Sequence, residues 1–209
     1  RDRSVSRGLG DVYKRQEGIS EEKVREYVEV LDRQSARLKK LIEDLLEASK
    51  ASTGNVEMHM EACDAAVMIS QVVGEYQDKL QAQDIEIVVN EAKNPANIMA
   101  DGRHLWRVFD NIMSNICKYT QDHTRVYVNV EDAGDQVRMI FKNISKYPLN
   151  ISSDELMERF VRGDASRNTE GHGLGLSIAS SLTALMDGQL TIDIDGDLFK
   201  ITVAMKKQA

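Results

Sequence analysis

The chain has 209 residues, 42% hydrophobic and 29% charged, which is enough apolar material for one good-sized domain with a smaller element beside it. A formal charge of −7 and a pI near 5.2 argue against a general nucleic-acid binder, which needs a basic footprint. Cys63 and Cys117 lie in apolar surroundings without metal-ligand spacing and read as reduced core thiols of a cytoplasmic protein; no apolar run approaches the ~20 residues of a membrane span, and no signal peptide is visible.

Residues 1–16, RDRSVSRGLGDVYKRQ, carry five basic residues against two acidic ones and show no apolar period, so their composition is that of an unstructured tail. The string also resembles the translated read-through of a sequencing adapter. That origin would leave it without function and the natural N-terminus elsewhere; a native basic arm is the competing reading.

Ser20, with Glu21 and Glu22 behind it, has the character of an N-cap followed by favourable first-turn charge. From there Val24, Val28, Leu31, Ser35, Leu38, Ile42, Leu45 and Ser49 recur in alternating steps of four and three, a heptad seam that asks for partner helices. The helix is expected to end at a linker around Ser52, Thr53, Gly54 and Asn55. Beyond it, the pattern predicts a short strand at 56–61, a buried helix over 65–82, strands at 85–89 and 98–100, and a turn at Asn94-Pro95. Asp101 then caps a strongly periodic helix to Tyr119, followed by strands at 124–130 and 137–143 joined by a turn at 132–135. A mostly polar stretch over 143–170 holds one short helical piece at 154–160, and a hairpin over 189–205 turns at Asp195-Gly196.

Between them lies Gly171 to Ala179, GHGLGLSIA, where three glycines open a segment whose Leu174, Leu176, Ile178, Leu182 and Leu185 suit a buried helix. Glycine permits close backbone approach, and a helix start offers unpaired N–H groups, a place for phosphate oxygens. Leu176 and Ser177 follow the last glycine where a Walker loop needs Lys and Ser or Thr, and the preceding run from Gly163 is polar where a dinucleotide fingerprint needs a buried strand. Some other part of the chain must help to hold a nucleotide.

The helix ending at Tyr119 has the required strip. At about 100° per residue, Asn115, Lys118 and Tyr119 fall within about 80° of Asn111, while Leu105, Phe109, Ile112, Met113 and Ile116 occupy the arc from about 100° to 200°. Polar residues therefore border the buried stripe as they would at a cleft. Paired amides suit a hydrated Mg²⁺ and phosphate oxygens, a lysine adds positive charge, and a tyrosine ring can stack on a base.

These residues carry a family resemblance. NIMSNICKY, Asn111 to Tyr119, resembles the N box of sensor histidine kinases; ELMERF, Glu155 to Phe160, is similar to the F box of their ATP lid, and GHGLGLSIA to their second glycine box. The likeness runs from Glu21 to the end of the chain. It implies an α+β fold, a two-layer α/β sandwich of the Bergerat type shared with gyrase, Hsp90 and MutL, preceded by a long coiled-coil-type helix. It implies ATP and Mg²⁺, with Asn111 and Asn115 organising metal and triphosphate, Lys118 on phosphate and Tyr119 in the base pocket. Arg162 and Arg167 match lid residues that reach the phosphates, and Gly171, Gly173, Leu174, Gly175 and Leu176 form the glycine-box end of the lid. The implied domains are 17–53, the second helix of a dimerisation hairpin, and 54–209, the catalytic domain.

Two departures stand out. Where the family has an aspartate followed by spaced glycines, this chain has Asn143-Ile144-Ser145-Lys146-Tyr147. An Asn143 carbonyl can accept from the adenine amino group without the charge, and a hinge without glycine is expected to be stiffer. In addition, His59, His104, His123 and His172 all lack the acceptor context of the family, an acidic neighbour with a proline shortly after on a first hairpin helix. His104 reads as a surface or rim residue. The resemblance thus implies the catalytic part of a protein histidine kinase without its phosphoacceptor, cytoplasmic, dimeric through its hairpin, acting on a response-regulator receiver domain, with no nucleic-acid partner and a membrane role only through upstream segments. The alternatives are a serine kinase of the anti-sigma type and a degenerate, non-catalytic dimerisation and signalling module.

Overall fold

A computed structural model describes residues 20–52, 56–90, 97–149 and 174–208. The chain divides into two compact units, residues 1–43 and 44–209. Helix α1, Glu21–Ser52, begins in the first. Ser20 caps it as expected: its Oγ accepts from the Lys23 N–H at 3.3 Å and its carbonyl from the Val24 N–H. The heptad seam is real and uncovered, with Val28, Leu31, Leu38 and Ile42 each more than half exposed. Among the described residues, no helix is long and apolar enough to cross a membrane.

The second unit is built on strand and helix starts whose chemistry is local. Strand β1, Glu61–Asp64, leads directly into helix α2, Ala65–Gln81, whose Asp64 cap accepts from the Ala66 and Val67 N–H groups. Strands β2, Glu86–Asn90, and β3, Asn97–Ala100, precede helix α3, Gly102–Tyr119. Strands β4, Arg125–Asp132, and β5, Gln136–Ile144, come next, then helix α4, Leu174–Leu185, and strands β6, Gln189–Asp195, and β7, Leu198–Lys206.

β1 and β3 make a small antiparallel sheet. The main sheet has the order β2-β4-β5-β7-β6, with β2 and β4 parallel and the other pairs antiparallel. Burial alternates along its strands, as a sheet covered on one face requires. Val126, Val128, Met139, Phe141, Val203 and Met205 face the helices, while Tyr127, Arg138 and Asp193 face away. Helices α2, α3 and α4 supply the other half of the core through residues such as Ile69, Leu80, Phe109, Ile112, Ile178 and Leu182. This is the expected two-layer α/β sandwich preceded by a long helix.

Two local expectations need correction. The strand expected at 56–61 forms later, as β1. Val56 and Met58 do turn to the core, but without ladder partners, and the His59 N–H is taken by the Asp101 carboxylate at 2.9 Å. The last hairpin turns one residue later than Asp195-Gly196: Asp195 pairs with Leu198, leaving Gly196 and Asp197 as the loop, with Gly196 at φ +58°. A two-residue loop with positive φ at its first position is the kind that glycine favours. Both cysteines are free thiols; burial pushes Cys63 up and Cys117 to about 11, so neither is poised as a nucleophile.

Candidate nucleotide site

Helix α3 is placed by Asp101, which is 1% exposed and accepts from the Arg103 and His104 N–H groups with one oxygen and from His59 with the other. Burial works against its charge, but the His59 and His104 hydrogen bonds outweigh it and hold the pKa at about 2. His104 is partly buried at this helix start, its Nδ1 3.1 Å from Asp101 Oδ1, and so belongs to the cap and not to the surface or a rim. Further along, the apolar side of α3 is fully buried and its polar strip is graded. Asn111 is 9% exposed, Asn115 and Tyr119 are half-buried, and Lys118 is exposed.

Gly175, in the first turn of α4, lies directly against Asn111. A Cβ at Gly175 would stand 3.1 Å from Asn111 Oδ1 and 3.6 Å from its Cγ, so this close approach depends on glycine. Asn111 Nδ2 is buried with no hydrogen-bond partner among the described residues. A buried amide donor left open at a helix start is costly unless something else occupies it. Leu176 anchors the same turn in the core at 3% exposure, and Leu174 packs partly against it.

Asn143 ends the covered face of β5. It is 3% exposed and follows Val137, Met139 and Phe141 on the buried side of the alternation. The segment after it is stitched to the end of α3: the Gln121 N–H donates to Ile144 O and the Lys146 N–H to Tyr119 O, while Thr120 and Ser145 form a bridge. Ser145 Oγ donates to Tyr147 O and accepts from its N–H, fixing the turn in which the Tyr147 ring stands edge-on to Tyr119, centroids 6.4 Å apart. Thr120 is fully buried, and its Oγ1 has no partner among the described residues.

Residues 100–208, half of the chain, match the family model described as Histidine kinase-, DNA gyrase B-, and HSP90-like ATPase. The chain belongs to this ATPase family. It is similar to the sensor protein VanS of Enterococcus faecium, 28% identical over 166 residues that cover 78% of this chain and 43% of VanS. Among solved structures it resembles full-length ShkA in complex with AMPPNP, at TM-score 0.74 and 23% identity over 88% of this chain and 39% of that one. It also resembles histidine kinase ThkA in complex with response regulator protein TrrA, at TM-score 0.71 and 18% identity over 96% of this chain and 56% of ThkA. The chain spans less than half the length of the first curated relatives it matches.

Within the ATPase fold, α3 and the first turn of α4 therefore meet at Asn111 and Gly175, and the ends of α3 and β5 are joined through the stitched segment. Arg162, Arg167, Gly171, Gly173, His172 and the ELMERF stretch lie outside the described residues. A depression of about 340 Å³ on the open face of the sheet reaches Asn143 and Ile144 from the far side, among Tyr127, Asn129 and Lys142. The burial alternation along β5 puts Asn143 on the opposite face from Lys142 and Ile144. Thr120 and Tyr147 escaped sequence reasoning. Thr120 is one step past the polar strip, and Tyr147 stands where the family pattern has glycine spacing.

Proposed function

We propose that residues 54–209 are the ATP-binding catalytic domain of a sensor histidine kinase and that 17–53 form the second helix of its dimerisation hairpin. The observation that carries this reading is the Gly175 backbone seated against Asn111, an amide whose donor is buried and open. Asn111 and Asn115 would hold Mg²⁺ and the triphosphate, with Lys118 on phosphate, Tyr119 on the base and Asn143 on the adenine amino group. Arg162 and Arg167 would reach the phosphates as the matching family residues do, and the Gly171–Leu176 segment would present backbone N–H groups to phosphate oxygens. Mg²⁺ supplies charge neutralisation to the triphosphate when bound. The work of the chain itself is positioning and electrostatic, which is what phosphoryl transfer demands.

In the parent protein the γ-phosphoryl would pass to a histidine that this sequence does not supply, leaving ADP, and then to an aspartate of a response regulator. The complex of ThkA with TrrA supports that class of partner. The uncovered seam of α1 supports a homodimer through the hairpin, and the sensor-protein relatives support a cytoplasmic place for this part of the chain. Calorimetric titration with ATP is expected to show binding that strengthens with Mg²⁺, and a hairpin bearing the acceptor histidine, supplied in trans, is expected to become labelled from radioactive ATP. Absence of binding under both conditions would instead favour the non-catalytic module motivated by the altered glycine segment; label on this chain alone would contradict the reading of a missing acceptor.

A further inference from the structure

We infer that the base pocket of this protein accepts guanine as well as adenine nucleotides, because the polar groups that face it can each donate or accept. The inference rests on the proposed nucleotide site and adds its base specificity. An ionised carboxylate only accepts hydrogen bonds, so at the end of β5 it would pair with the amino group of adenine and repel the carbonyl oxygen of guanine. Asn143 carries one acceptor and one two-proton donor of nearly the same shape. Turning the amide over presents Oδ1 to the adenine amino group or Nδ2 to guanine O6. The amide is 3% exposed, on the covered face of the strand.

The neighbouring hydroxyl has the same property. Thr120 bridges to Ser145, which is buried two residues beyond Asn143, and the Thr120 Oγ1 is buried and unpartnered among the described residues. A hydroxyl rotates to suit either a donor or an acceptor. It can therefore face the unprotonated N1 of adenine or the N1–H of guanine at no cost in charge. Ser145 does not compete for it, being engaged with Tyr147. The Tyr119 and Tyr147 rings add contact that does not discriminate, since stacking needs only a π-face.

The test is competition of unlabelled ATP and GTP against a fluorescent ATP analogue on the full chain with Mg²⁺. GTP is expected to bind within about tenfold of ATP, the scale of one net hydrogen bond. Asn143→Asp is expected to lower GTP affinity relative to ATP affinity by roughly a hundredfold or more, as for a site that buries two opposed acceptors. ATP binding with GTP weaker by that hundredfold in the unsubstituted chain would overturn the inference and leave the proposed function standing. Failure of both nucleotides to bind would overturn both. An ATP to GTP ratio unchanged in a folded Asn143→Asp protein would remove Asn143 from the explanation. Should the buried carboxylate unfold the variant, seen as loss of the thermal transition, the comparison in the unsubstituted chain still decides.

Discussion

Adding one methyl group at Gly175 places a Cβ 3.1 Å from Asn111 Oδ1, 3.6 Å from Cγ and 3.8 Å from Cβ. The first of these is tighter than ordinary contact, so in Gly175→Ala the amide of Asn111, 9% exposed, has to give by a few tenths of an ångström. Alanine is favoured over glycine in a helix by up to about 1 kcal/mol, which offsets most of that strain. The thermal midpoint is therefore expected to stay within roughly 3 °C of the parent. Ligand binding has no such compensation, because the displaced amide is the group proposed to meet phosphate and metal. A loss of about 1.4 kcal/mol, or about tenfold in ATP affinity, is expected by calorimetry. Unchanged affinity at an unchanged midpoint would refute the placement of Asn111 in the site. A midpoint lower by roughly 10 °C would refute the premise that the amide, and not the helix, gives way.

The Asp101 pKa is lowered to about 2, so its stabilisation is complete above the unfolded value of about 3.9 and is lost as pH falls through about 2. Urea unfolding between pH 5 and pH 2 is expected to show a loss of about 2 kcal/mol from this group, absent from the same series in Asp101→Asn; identical pH profiles would exclude it. Arg107 gathers Asp44, Glu47 and Asp110, donating from Nε to Glu47 at 2.9 Å. Removing it in Arg107→Ala leaves three carboxylates, each only partly exposed, facing one another, with an expected loss of about 1–2 kcal/mol after allowing for solvent screening. Added salt is expected to recover part of that loss in urea midpoints, and a loss insensitive to salt would point to packing by the arginine stem instead.

Helix α3 is legible from end to end because its signals are local. Asp101 provides the cap, and the apolar stripe from Leu105 to Ile116 keeps one period until Thr120 leaves the helix. The β5 and β7 strands are legible for the same reason, their alternation matching the pleat. Strand β1 is hidden because Val56 and Met58 carry the alternation of a strand while packing on the core without one. Residues 61–64 become the strand through pairing with β3, as in Cys63 with Ile98, a contact no local pattern announces. Asp101 is a further example: its cap of α3 is local, but its second oxygen holds His59, which only the fold brings near.

The site divides along the same line. Asn111, Asn115, Lys118 and Tyr119 can be found on one helix by spacing, and Gly175 by its neighbours in sequence, but their meeting is a product of α4 packing on α3. The altered glycine segment shows the converse. Read as sequence, Asn143 to Tyr147 is a loss, since no glycine remains to bend there. In the fold, the residues that replace the glycines make bonds that glycines could not: Ser145 Oγ locks the turn and Tyr147 braces Tyr119. Together with the backbone bonds to Gln121 and Tyr119, they tie the end of β5 to the end of the asparagine helix. The proposed base pocket, built this way, would keep its shape before nucleotide arrives, so less ordering would have to be paid for on binding. On the proposed reading its selectivity then rests on Asn143, an amide, and Thr120, a hydroxyl without a partner among the described residues, and both are groups that can turn.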